Sequence, residues 1–79
     1  MTWIRKFPAP IRLNDGRALE TLGDARAVIL RFPERRRDNI EWQNAAKLLV
    51  QAAKGSATGA DISRAVSQLK IVLRAEELL

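Results

Sequence analysis

Three stretches of the chain repeat apolar residues at the spacing of one helix face. Leu22, Ala25, Val28, Ile29 and Phe32 form the first; Trp42, Ala45, Ala46, Leu49, Ala52 and Ala53 the second; Ile62, Ala65, Val66, Leu69, Val72 and Leu73 the third. Steps of three and four residues return a side chain to the same side of a 3.6-residue turn, so each stretch predicts an amphipathic helix with one buried stripe. The end signals place these helices over about 22–32, 39–54 and 59–77. Thr21 with Asp24 three residues on reads as a capping box, Pro33 stops the first helix, Asp38 or Asn39 opens the second with Glu41 as an analogous partner, and Gly55 ends it.

Ahead of these helices the pattern is extended. Pro8 and Pro10 lack the backbone N–H that a ladder needs, so Phe7-Pro8-Ala9-Pro10 is expected as a polyproline-like or edge segment leading into a short strand, Ile11-Arg12-Leu13. Asn14-Asp15-Gly16 is the turn. A three-residue loop with Gly16 in the left-handed region places Ile11 opposite Leu19, whereas a two-residue turn places it opposite Glu20; burial of the apolar pair favours the longer loop. The expected architecture is a single small α+β domain, a hairpin over about 9–21 packed on three α-helices. On the last helix Ile71, Ala75 and Leu78 fall opposite the main stripe, leaving a second apolar face for the hairpin, for Trp3 or for a second copy of the chain.

Composition narrows the chemistry. With 79 residues and neither cysteine nor histidine, disulfides, thiolate or imidazole metal sites, cysteine nucleophiles and histidine-dependent triads are excluded. A single core of this size gives marginal stability, so self-association is the expected supplement. No apolar run reaches the roughly 18 residues of a membrane span and no secretory core is seen near the N-terminus, so a cytoplasmic protein without membrane contact is expected.

The net charge of +5 is uneven along the chain. Through Arg37 nine basic residues face four acids, whereas from Asp38 five face five. The densest stretch, Arg31-Phe32-Pro33-Glu34-Arg35-Arg36-Arg37, holds four arginines. Arg31 suits a helix C-terminus; Arg35, Arg36 and Arg37 read either as a solvated connection or as a contact for an anionic partner, because three cations face the positive end of the following helix dipole. Arg31, Arg35, Arg36 and Arg37 are therefore the candidate sites for an acidic protein or nucleic acid, and Ile71, Ala75 and Leu78 those for a homodimer.

No glycine-rich phosphate loop or metal-ligand cluster occurs, and the carboxylates stand at caps, in the turn and near the C-terminus, so neither a cofactor nor enzymatic activity is expected. A helix-turn-helix built from the last two helices would offer Ser63, Arg64, Ser67 and Gln68 to base edges, but this half carries no net charge to attract phosphates. The expected function is that of a non-enzymatic, self-associating interaction module, with a nucleic-acid-associated protein using the basic first half as the alternative. Trp42 and Phe32 are expected to anchor the core.

The order Pro10-Ile11, Thr21 with Asp24-Ala25, Phe32-Pro33, Trp42, and Ala45 through Leu49 and Ala52 to Gly55 resembles the small bacterial proteins grouped as DUF982, common in rhizobia and their relatives. The likeness covers roughly residues 7 to 66. That family's usual Trp-Pro stands here as Phe32-Pro33, and its frequent cysteine falls at Leu49. The resemblance implies a compact cytoplasmic α+β domain and, since the family has no known function, no site residues.

Overall fold

The computed structural model describes residues 2–79, an α+β arrangement in which an antiparallel hairpin is followed by helices. Strand β1 spans Lys6–Arg12 and β2 spans Ala18–Thr21; helices follow as α1 Leu22–Leu30, the single turn α2 Glu34–Arg37, α3 Ile40–Ala52 and α4 Gly59–Ala75. Ile11 pairs with Leu19 and Arg12 with Ala18, the register of the three-residue loop. Leu13 N–H donates to the Arg17 carbonyl at 2.8 Å and Gly16 sits at φ +94° between them, a backbone conformation open chiefly to glycine. β1 is longer than expected. The prolines lie inside it, where an irregularity between Lys6 and Ile11 interrupts the pairing, and Phe7 is buried ahead of them.

The backbone groups at the start of α1 are satisfied one by one. Leu22 N–H donates to the Arg5 carbonyl at 3.0 Å and Gly23 N–H to the Trp3 carbonyl at 2.8 Å. Asp24 N–H reaches Thr21 Oγ1 at 3.1 Å, while the Asp24 carboxylate accepts from Thr21 N–H at 3.2 Å, completing the capping box read from the sequence. At α3 the cap is Asn39, whose Oδ1 accepts from Glu41 N–H at 2.8 Å; Glu41 itself is not the box partner and its carboxylate turns to Gln68 Nε2 at 2.6 Å. α3 ends at Ala52, short of Gly55, and Thr2 N–H ties the N-terminal segment to the Ala53 carbonyl at 2.7 Å.

All three stripes face one core. Leu22, Leu49, Leu69 and Leu73 are its largest fully buried side chains, each worth about 1.5–3 kcal/mol removed from water, and Phe7, Ile11, Leu13 and Leu19 close it from the hairpin. Trp42 and Phe32 are half-buried at its edge rather than at its centre. No helix among the described residues is long and apolar enough to cross a membrane.

Candidate functional site

The arginine stretch is not an irregular loop. Pro33 precedes one helical turn, Glu34–Arg37, closed by Arg36 N–H on the Pro33 carbonyl at 2.9 Å, and this turn carries the arginines to different sides of the molecule. Arg37 folds back onto α1: its Nη2 donates to the Leu30 carbonyl at 2.8 Å and its guanidinium stands 5.8 Å from the centre of the Trp42 ring. Arg37 Nε is buried without a partner. Arg36 reaches the far end of α4 and forms an ion pair with Glu76 at 3.1 Å. Arg37 thus serves the fold and Arg36, half exposed, is held by a surface ion pair, so Arg35–Arg37 are one helical turn with separate partners rather than a uniformly solvated loop.

Arg31 and Arg35 are exposed without an ion pair among the described residues and face separate surroundings. Arg31 shares a shallow depression between β2 and α1 with Arg17 and Asp24, and Arg35 stands with Glu34 and Asp38 on the rim of the single turn. Elsewhere Arg17 is paired with Asp15 at 2.8 Å, Arg26 lies 5.2 Å over the Trp3 ring, and Arg5 donates to the Ala57 carbonyl at 2.9 Å. The Arg17 backbone N–H and then its side chain hold the Asp15 carboxyl below its ordinary value. Arg5 is anchored just before α4 and Arg36 just after it, so the 17 residues of that helix, about 25 Å, separate them. The cations of the first half are spread over both ends of the molecule.

Ile71, Ala75 and Leu78 are divided as well. Leu78 turns inward: its N–H donates to the Leu73 carbonyl at 2.8 Å, its carbonyl accepts from Asn14 N–H at 2.8 Å, and its side chain packs against the core. Here the hairpin provides the cover. Ile71 remains 48% exposed, and Ala75 is exposed one turn further along the same face. Ala75 also edges a narrow cleft of about 40 Å³ floored by Phe32, Trp42 and Val72.

Gln68, one of the residues set out for base contacts, instead bridges α4 to α3 by donating to the Glu41 carbonyl at 3.1 Å as well as to its carboxylate. Sequence reasoning missed this contact and the Arg36–Glu76 pair, because neither lies within one element. Comparison with protein-family models, curated proteins and solved structures finds no match to this chain.

Proposed function

We propose that this chain is a cytoplasmic, non-enzymatic interaction module that associates with a second copy of itself through the exposed face of α4. The observation that carries the reading is Ile71, a large aliphatic side chain 48% exposed in the middle of a helix whose opposite face is fully packed. An antiparallel pairing of two α4 helices about a two-fold axis at Ile71 places each Ile71 against its counterpart. Residues whose numbers sum to 142 then lie level, so Arg64 of one copy stands beside the Glu77–Leu78 turn of the other. That arrangement matches cation to carboxylate, and the small side chains of Ser67 and Ala75, which also lie level, let the helices approach.

The area is modest. One helix face buries well under the roughly 800 Å² per partner of a standard interface, so the association is expected to be weak and concentration-dependent. Analytical ultracentrifugation from ten micromolar to one millimolar tests it: the expected result is a rising mean mass that Ile71→Glu abolishes. A single-chain mass throughout that range would dispose of the proposal. The separation of Arg5 from Arg36 by the length of α4 weighs against the alternative, a nucleic-acid protein gripping through one continuous basic half. The likeness to DUF982 is compatible with a small interaction domain and brings no binding residue to it.

A further inference from the structure

A groove of about 280 Å³ runs between β1 and α4, bordering the Ile71 face at Ser67, and is lined by Pro8, Pro10, Ser63, Val66, Ser67 and Lys70. Its floor is apolar and its helical wall is polar. Ser63, Ser67, Lys70 and Arg74 succeed one another at four, three and four residues, a line of two exposed hydroxyls and two exposed cations about 16 Å long. The other wall is the Pro8–Pro10 stretch of β1; Lys6 and Arg12 are exposed at the two ends of that strand, outside the groove lining, while Phe7 and Ile11 are buried in the core. Lys6, Arg12, Lys70 and Arg74 form no ion pair among the described residues. Two acids of α4 and its end are engaged elsewhere: Asp61 accepts from Thr58 N–H at 2.9 Å, and Glu76 holds Arg36, while Glu77 lies past the helix end in the closing turn. The groove lining therefore holds one cation, Lys70, and no carboxylate, and Arg74 continues the same helix face one turn further on.

The unpaired edge of β1 restricts how an occupant is held. Because Leu13 N–H points to β2, alternation along the strand directs the Pro10 nitrogen to the outer edge, where it has no hydrogen to give. A strand added to this edge meets carbonyls with an interrupted set of donors. Affinity must come from side chains entering the groove.

We propose that the β1–α4 groove binds an extended acidic segment of a partner protein, with carboxylates on Lys70 and Arg74 and apolar side chains over Val66 and the proline rings. The spacing fits: Lys70 and Arg74 are one turn apart, about 6 Å, which matches the roughly 6.6 Å between residues i and i+2 of an extended peptide. Acidic residues at alternate positions would meet both cations. Single-stranded nucleic acid suits the groove less well, because no aromatic ring lines it: Phe7 is buried, Trp3 lies under Arg26, and Trp42 lies beside Arg37.

The test is fluorescence anisotropy with a labelled octapeptide of alternating Glu and Ala, run beside its Gln–Ala counterpart and an eight-nucleotide oligothymidylate. The expected result is saturable binding of the Glu peptide alone, weakened by salt, and reduced at least tenfold in the Lys70→Glu/Arg74→Glu double variant while Arg31→Gln/Arg35→Gln binds as the parent does. Circular dichroism verifies that both variants fold. The proposal is overturned if the Glu peptide does not bind, if the Lys70/Arg74 variant binds it as tightly as the parent, or if the oligonucleotide binds more tightly than the peptide. Loss of peptide binding in the Arg31/Arg35 variant would equally overturn it, by moving the site to the depressions around α1 and α2.

Discussion

Arg37 holds Leu30 and Trp42 together: its Nη2 donates to the Leu30 carbonyl at 2.8 Å while its guanidinium faces the indole 5.8 Å from the ring centre. Trp42 in turn donates Nε1–H to the Ile29 carbonyl at 3.2 Å. These two side chains join the frayed end of α1 to the first turn of α3 across the Phe32–Pro33 break. Removing the cation loses a charged hydrogen bond and the ring contact, so Arg37→Gln should lower stability by about 1–2 kcal/mol. Arg35→Gln, at an exposed position without such partners, should stay within about 0.5 kcal/mol. Urea midpoints of the two variants measure the difference, and equal values would mean that Arg37 is only solvated.

The C-terminus of α4 closes in a Schellman turn. Glu77 N–H donates to the Arg74 carbonyl at 3.0 Å and Leu78 N–H to that of Leu73 at 2.8 Å, with Glu77 at φ +60° in the left-handed position that glycine usually occupies. A side chain there costs roughly 1 kcal/mol or more, so Glu77→Gly should raise the stability by about 1 kcal/mol despite the greater freedom it gives the unfolded chain. Glu77→Val should lower it. Thermal melts of both variants check the sign.

The Asp61 carboxylate caps α4, and the Thr58 N–H that donates to it is the main cause of a pKa below the ordinary 3.8. A carboxyl whose folded value is depressed stabilises the fold above its unfolded value and loses that contribution as pH falls through the folded one. The parent should therefore lose stability as pH drops from about 4, and Asp61→Asn should lose less over the same interval. Parallel losses in urea titrations at pH 5 and pH 2.5 would remove Asp61 from the account.

Leu69 is fully buried in the middle of α4. Truncation to alanine loses both its transfer energy and the packing around the space it leaves, about 2.7–5 kcal/mol. In a domain of this size that approaches the whole stability, so Leu69→Ala should be largely unfolded at 37 °C. A cooperative melt of the variant near that of the parent would contradict the placement of Leu69 at the centre of the core.

Local chemistry made much of the fold legible in the sequence. The Thr21–Asp24 box, the Gly16 loop and the Ile11–Leu19 register each involve residues close in the chain, and helical periodicity identified Leu22, Leu49, Leu69 and Leu73 as inward positions. What sequence reasoning did not reach was chosen by distant partners. Arg36 and Glu76 are 40 residues apart in numbering, and Glu41 meets Gln68 across two helices, so the apparent unity of the arginine stretch dissolves once those partners are known. Charge balance over the second half was also misleading: its zero sum hides acids held at helix ends and cations left free along α4.

The attachment of Asn14 to the carbonyls of Glu77 and Leu78 bears on how the chain acquires its structure. α4, which follows the other described elements in the chain, covers α3, and the turn at its end anchors both the hairpin loop and the α2 turn. Until it emerges, buried residues of α3 such as Leu49 lack the helix that covers them, at translation speeds of about 5–20 residues per second. Closure of the core is consequently expected to wait for α4, and the interval before it leaves the apolar faces of the earlier elements most open to aggregation.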